Sequence, residues 1–387
     1  MKIGVFGGTF NPPHVGHVQS AKTASEYLGL DKLIIVPSAK PPHKPLPDGT
    51  PHADFRMNMA KLAFEDIPNA VISDIEIKSG NVCYTVDTIS ELKHEFPDSE
   101  LYLLVGTDMY LSLKSWKNWE KLVKLAVPVV FSRNNNLKSE IENFSLNLHK
   151  QFDVRAKIVD NDVLDISSSE IRDKLLSRQG VNYLAENVYS YIIRNRAYGA
   201  KPNWDWLRAK AHSMLDPKRV PHVIGCESEA LRLAKHWGVS EDDAREAGIL
   251  HDITKKLDTE QHLAILREYN IPIEVIKDGE EKLLHSKTGA VLARGLFGVS
   301  DAVYNAIMWH TTGKAGMTDL DKIIYLADYI EPNRDLENID TLRRLSYENL
   351  DMAMAMGIQM AVTDLQERGK VPNKITLDAL DSFSTNQ

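Results

Sequence analysis

Up to about residue 198, short β-rich runs alternate with amphipathic segments, and beyond about residue 203 the β-rich runs nearly vanish. Helical periodicity then dominates to about residue 369. Strands are expected over 2–6, 32–37, 70–75, 101–105, 127–131 and 156–159. Helices are expected over 18–28, 55–64, 86–95, 116–125, 169–176 and 186–194. Alternation of this kind implies a parallel sheet covered by helices on both faces, with ligands at the carboxyl ends of the strands. A chain of 387 residues is also long for one core. The expected fold class is therefore α/β: a doubly wound, Rossmann-like parallel-sheet domain over 1–198, a linker over 199–203, and an all-α domain over 204–387.

Hydrophobic residues make up 43% of the chain and charged residues 26%, ordinary values for a globular protein. No apolar run reaches the length of a membrane span, and Gly7 and Gly8 interrupt the first apolar run before a signal peptide could form. Two cysteines, Cys83 and Cys226, argue against a disulfide framework and for a reducing cytoplasm. The net charge of −8 disfavours a nucleic-acid or anionic-membrane partner, so anionic substrates must meet local basic groups. The oligomeric state, homo-oligomer included, is left open. Met352, Met354, Met356 and Met360 read as gap-filling core. The tail 381–387 is polar and reads as frayed.

The first expected strand runs into Gly7-Gly8-Thr9-Phe10-Asn11-Pro12-Pro13-His14-Val15-Gly16-His17, which leads into a helix. A strand that stops at paired glycines and feeds a helix presents backbone N–H groups to a phosphate. His14 and His17 add two imidazoles on the first turn. Lys40-Pro41-Pro42-His43-Lys44 is a stiffened basic loop after the second strand, and Arg56 in the next helix could supply a further phosphate contact. Gly106-Thr107-Asp108 follows the fourth strand, where an Asp could hold a ribose hydroxyl or a metal. Tyr84 and Trp116 could stack a flat heterocycle. Ile166-Ser167-Ser168-Ser169-Glu170-Ile171-Arg172 starts a helix with hydroxyls, although Ser169 taken as its cap lacks a Glu three residues on.

Together with Tyr84-Thr85-Val86-Asp87-Thr88 and the Gly106–Met109 run, these segments resemble the bacterial nicotinate-nucleotide adenylyltransferases of the nucleotidyltransferase superfamily. The resemblance implies transfer of an adenylyl group from ATP to nicotinate mononucleotide, with Mg²⁺. It implies that Gly7, Gly8, Thr9, Phe10, His14, His17, Lys44, Gly106, Asp108, Ser168, Ser169 and Arg172 bind ATP. Of these, His14, His17 and Lys44 would be catalytic, and Tyr84, Thr85 and Trp116 would hold the mononucleotide. Gly80-Asn81-Val82-Cys83 departs from the family's approach to Tyr84, which leaves acid-versus-amide preference open. A phosphopantetheine-type adenylyltransferase is the alternative for this half.

The helical half carries an ordered set of imidazoles and carboxylates: His222, the adjacent His251-Asp252, His285, His310 and Asp328. Such ligands suit borderline first-row metals, and a carboxylate beside a histidine can bridge two ions. With the flanking runs Gly248-Ile249-Leu250-His251-Asp252-Ile253-Thr254-Lys255 and Leu326-Ala327-Asp328-Tyr329-Ile330-Glu331-Pro332-Asn333-Arg334, this half resembles HD-superfamily symmetrical diadenosine-tetraphosphate hydrolases. The resemblance implies two divalent ions, Fe with Mn or Zn as alternatives. His222, His251, Asp252 and Asp328 would hold one ion, and Asp252, His285 and His310 the other. Asp252 would be catalytic, with Lys255 and Arg334 contacting polyphosphate. An HD nucleotidase or a nucleotide-sensing domain is the alternative here.

Overall fold

The computed structural model describes residues 1–41, 45–80, 82–132, 135–160, 166–272, 280–335 and 337–384. The chain divides into two compact units, Met1–Lys201 and Pro202–Gln387.

The first unit is built on six parallel strands: β1 (Lys2–Gly8), β2 (Lys32–Pro37), β3 (Ala70–Ile72), β4 (Glu100–Gly106), β5 (Ala126–Ser132) and β6 (Lys157–Asp160). Their order across the sheet is β3-β2-β1-β4-β5-β6. The direction of winding reverses between β1 and β4, which pair through Ile3↔Leu101 and Val5↔Leu103. In a doubly wound sheet a ligand crevice opens at that reversal, beyond the carboxyl ends of the strands. Ile3, Val5, Leu103, Val105 and Val130 are buried in the core on one face, with Ile89, Leu122 and Ile141 from covering helices.

Local chemistry accounts for the departures from expectation. β1 runs to Gly8, because Gly7 and Gly8 still pair with Val36 and Pro37. The strand expected over 70–75 stops at Ile72, and Ile75 opens a short helix, Ile75–Ser79. The helix expected from residue 116 starts at Trp119, after a 3-10 turn, Leu113–Ser115. An 18-residue helix that was not expected, Asn135–Phe152, fills the connection between β5 and β6. It buries Ile141 and Leu148.

The 199–203 segment is divided between the units. Ala200 is buried, and Lys201 donates its backbone N–H to Leu175 O. Asn203 caps the helix Trp204–Ser213 by accepting from Trp206 N at 3.0 Å.

The second unit is helical. Leu233, Leu250, Ile307, Ile324, Tyr325 and Met354 lie in one buried core. Met354 is fully buried, Met356 and Met360 pack against the core, and Met352 is exposed. The tail expected to fray over 381–387 is helical as far as Ser384, in a helix at Lys374–Ser384 that buries Ala379 and Phe383 in the same core, while 385–387 lie outside the described residues. No helix among the described residues is long and apolar enough to cross a membrane.

Candidate functional site

In the first unit the glycine turn leaves β1 at the crevice. A Cβ on Gly7 would meet nothing within 4 Å, so the strand end faces open space. A Cβ on Gly8 would come within 3.1 Å of the Phe10 ring, and Phe10 itself has φ of 48°, a left-handed backbone that a bulky residue rarely adopts. His14 is the residue capping the helix Val15–Leu28 rather than part of its first turn. Its backbone N–H donates to His17 Nδ1 at 3.2 Å, and the two rings lie 3.8 Å apart. With Nδ1 accepting, a neutral His17 carries its proton on Nε2, the form that can donate to a phosphate oxygen.

The helix Ser168–Leu176 approaches the same turn. Ser168 Oγ donates to Pro12 O at 2.9 Å, and Arg172 Nη1 donates to Asn11 O at 2.8 Å. The helix start differs from expectation. Ser167 is the cap, accepting from Glu170 N at 3.2 Å while Glu170 accepts from Ser167 N at 2.8 Å, so a full capping box is present two residues earlier. That arrangement leaves Ser168 and Ser169 as the first helical residues, facing a cleft of about 260 Å³ that they line with Thr9, Phe10, His17 and Arg172.

Arg56 is not available to phosphate. It is buried, with Nη1 on Thr9 O at 2.7 Å and Nη2 on Ala39 O at 3.1 Å, and so pins the turn from beneath. Tyr198, which the sequence reading passed over, donates its hydroxyl to Asn11 Oδ1 at 2.8 Å. Burial pushes that phenol well above its ordinary value, which keeps it a donor near neutral pH. Lys44 lies outside the described residues.

Gly106 and exposed Asp108 stand at the carboxyl end of β4, where Thr107 Oγ1 donates to Phe131 O at 2.7 Å. Thr85 opens the helix Thr85–Glu95, and Tyr84 precedes it with Lys117 Nζ 4.0 Å above its ring. Trp116 is buried among the core residues of this face.

In the second unit His222 projects from the helix Val220–Trp237, while His251 and His310 sit at the carboxyl ends of Glu241–Leu250 and Asp301–Trp309. His285 is in the first turn of Leu284–Phe297, and Asp328 in the last turn of Asp319–Ile330. All six expected ligands meet in one place. His222 Nε2 is 3.0 Å from Asp328 Oδ1 and 3.4 Å from His251 Nε2. His285 Nε2 is 3.1 Å from His310 Nε2. Asp252 stands between the pairs. Its Oδ2 is 3.5 Å from His251 Nε2 and 3.9 Å from His222 Nε2, and its Oδ1 is 3.2 Å from His285 Nε2 and 3.7 Å from His310 Nε2.

The other ring nitrogens explain the convergence. His251 Nδ1 bonds Gly248 O at 2.8 Å, His310 Nδ1 bonds Ile307 O at 2.6 Å, and His285 Nδ1 bonds Lys282 O. Each imidazole folds back to the carbonyl three residues earlier. For His251 and His310 that carbonyl belongs to the last helical turn, which has no intrahelical partner. A carbonyl can only accept, so Nδ1 carries the proton. His222 Nδ1 likewise bonds Glu331 Oε1 at 3.1 Å, whose Oε2 accepts from Asn333 N at 2.7 Å. In the neutral rings all four Nε2 lone pairs then point at one another and at two carboxylates. Lone pairs 3.1–3.4 Å apart with no proton between them call for a shared cation.

Burial alone would push the Asp252 carboxyl up, but His251, His285 and His310 outweigh it and hold Asp252 well below the usual range. For Asp328, burial is likewise outweighed by His222 and His251. Burial pushes the His285 imidazole down to about 4, so this ring is neutral near pH 7. Asp252 Oδ1 is buried without a hydrogen-bond partner. Two groups have metal-binding spacing: His222, His251 and Asp328, and His251, Asp252 and His310. The donor set of imidazoles with carboxylates fits divalent first-row ions.

Arg334 and Lys255 turn inward. Arg334 Nη2 is 2.8 Å from Asp328 Oδ1, and Lys255 Nζ is 3.0 Å from His285 Nε2. Two further neighbours carry no motif of their own in the sequence: Glu331, which orients His222, and Arg219, whose Nε is 2.6 Å from Asp252 Oδ2. Their signal was proximity in the chain, three residues after Asp328 and three before His222.

Residues 5–174 match the Cytidylyltransferase-like family and residues 219–333 the HD domain family. A "probable nicotinate-nucleotide adenylyltransferase/Ap4A hydrolase" of Mycoplasma genitalium is 32% identical over 361 residues, covering 91% of this chain and 95% of that protein. A protein of the same description from Mycoplasma pneumoniae is 31% identical, covering 90% and 96%. A "probable nicotinate-nucleotide adenylyltransferase" of Borreliella burgdorferi is 35% identical and aligns with 52% of this chain and all of its own length.

Proposed function

The chain belongs to the nicotinate-nucleotide adenylyltransferase/Ap4A hydrolase family, and we propose on that footing that it carries two activities, one in each unit. The first unit joins nicotinate mononucleotide to the adenylyl group of ATP, releasing pyrophosphate. The second splits diadenosine tetraphosphate symmetrically into two ADP.

For the transfer, the attacking mononucleotide phosphate is already ionised, so the protein needs to align it and neutralise charge rather than supply a strong base. His17 Nε2, Arg172 and the Ser168 and Ser169 amides are placed around one cleft and are assigned to the ATP phosphates, with Thr9 and Phe10 beside them in that cleft and Gly7, Gly8 and His14 assigned there by their motif. Lys44 is assigned there by its motif alone. Tyr84, Thr85 and Trp116 are assigned to the mononucleotide, with Gly106 and Asp108 at the ATP ribose. Mg²⁺ is proposed to arrive on the ATP phosphates, because no cluster of three metal-ligating side chains occurs in this unit among the described residues.

The observation that carries the hydrolase reading is Asp252, with one carboxylate oxygen toward His222 and His251 and the other toward His285 and His310. His222, His251, Asp252 and Asp328 are proposed to hold one divalent ion, and Asp252, His285 and His310 the second, with iron the first choice. Bound there, two ions supply a nucleophilic hydroxide at neutral pH and neutralise the phosphates. The chain's own contribution is orientation: four Nδ1–H bonds fix the imidazoles before any ion arrives. A reducing cytoplasm is the proposed location, since a chain with only two cysteines, Cys83 and Cys226, carries no disulfide framework.

Incubating the purified chain with ATP and nicotinate mononucleotide, and separately with diadenosine tetraphosphate, tests both assignments. Asp252→Ala should abolish tetraphosphate cleavage and spare dinucleotide synthesis. Loss of both activities in that variant would sink the assignment of one reaction to each unit.

A further inference from the structure

Two clefts that share no lining residue flank the histidine-carboxylate centre, and their walls differ in chemistry. One, of about 560 Å³, opens on His310 and Asp328 and is walled by Tyr329, Asn338, Gln359 and Met360, together with two arginines and three further carboxylates at Arg334, Arg368, Glu337, Asp364 and Glu367. It offers an aromatic ring, a thioether and two amides, the surfaces that stack a nucleobase and read its polar edge. The other, of about 370 Å³, is lined by Asp216, Lys218, Arg219, Lys255 and Lys256. It has no aromatic wall and no amide side chain, and four cations face one carboxylate.

That carboxylate is already engaged, since Asp216 Oδ1 accepts from Lys218 N at 2.9 Å. Lys218 and Lys256 pair with no carboxylate among the described residues, and Lys256 Nζ reaches only Ser213 O at 3.4 Å. Two of the shelf's cations also touch the centre. Arg219 lies 2.6 Å from Asp252 Oδ2 and Lys255 3.8 Å from Asp252 Oδ1. Lysine ammonium groups bind phosphate as point charges and read no base.

We propose that the hydrolase centre reads the two halves of its substrate unequally, taking the nucleoside of one half in the larger cleft and the other half on the lysine shelf as polyphosphate alone. The second nucleoside then contributes little to recognition. The substrate class becomes nucleoside 5′-tetraphosphates, whether or not the far end carries a second nucleoside. This rests on the hydrolase reading and extends it. In each case the oxygen of water bonds to one of the two central phosphorus atoms, and the bridging P–O bond between the central phosphates breaks. The bridging oxygen leaves on the other diphosphate, and water's two protons pass to the new terminal phosphate oxygens or to solvent. Diadenosine tetraphosphate gives two ADP; adenosine 5′-tetraphosphate gives ADP and pyrophosphate.

The test compares kcat/KM of the metal-loaded full chain on diadenosine tetraphosphate and adenosine 5′-tetraphosphate. Values within about threefold of each other, with ADP and pyrophosphate as products of the second, are expected; a deficit beyond about thirtyfold, equal to about 2 kcal/mol of lost recognition, overturns the proposal. A Lys218→Ala, Lys256→Ala chain should raise KM for both substrates about tenfold with kcat nearly unchanged. Calorimetric titration with inorganic tripolyphosphate gives a readout that needs no turnover. The double variant should lose about tenfold in affinity, and unchanged binding would refute the shelf. Failure of the wild-type chain to cleave either substrate would instead remove the hydrolase reading, while tripolyphosphate binding still judges the shelf.

Discussion

Asp252 is buried, carries its charge among four imidazoles, and presents one oxygen to each pair of them. Its neighbours are held in place by groups that never reach the centre. Glu331 is the clearest of these, since it fixes the His222 tautomer through Nδ1. Replacing it, Glu331→Gln, should weaken metal retention by about 10–100-fold, measured by competition with a chelator, while Glu331→Asp should recover part of the loss. His285 gives a pH prediction for the metal-free chain. Its folded-state value, about 4, lies below the ordinary value of 6.5, so the unfolded chain takes up the proton first. The stability linked to this ring is therefore complete above about pH 6.5 and is lost as pH falls toward 4, by about 3 kcal/mol in denaturant titrations. The six ligands were legible as residue types in order. Glu331 and Arg219 were not, because a carboxylate or guanidinium three residues away from a ligand is common and becomes meaningful only when its helix turns it inward.

Helix ends carry much of the chemistry in both units. His14 caps one helix and Ser168 opens another, while His251 and His310 sit where helices finish and use orphan carbonyls to orient their rings. The capping box at Ser167 and Glu170 was readable as a Ser-x-x-Glu pattern, but the reading took Ser169 as the cap and so misplaced the turn by two residues. The helix Asn135–Phe152 escaped because its start is rich in Asn, which favours turns over helix interiors, although Ile141, Phe144 and Leu148 follow helical spacing. Gly225 shows how an element constrains the centre. A Cβ there would lie 2.2 Å from Glu331 Oε2 and 3.1 Å from Asn333 Nδ2, in the hydrogen-bonded pair behind His222. Gly225→Ala should push Glu331 aside, lower the metal content of the purified chain and reduce tetraphosphate cleavage at least tenfold, with adenylyl transfer unchanged. Normal metal content in that variant would contradict the role given to Glu331.

Each unit has its own buried core, one around the sheet and one among the helices. Calorimetry should accordingly resolve two unfolding transitions, and chelation should lower only the one that belongs to the helical unit, because an ion bound to the native centre stabilises that unit by mass action. The division into a sheet-bearing and a helical half was visible in the chain because periodicity is a local property, carried by neighbours three or four residues apart. The phosphate turn and the ordered histidines were visible for the same reason: each motif is a short run whose chemistry its own residues supply. The order of the strands, the burial of Arg56 beneath the turn and the reach of Tyr198 to Asn11 depend instead on contacts between distant segments. So does the sharing of Asp252 between two histidine pairs, and so do the unlike walls of the two clefts beside that centre. Spacing along the chain names the groups that can act, but packing sets which nitrogen carries a proton, which cation is buried and which charge is left to meet a substrate.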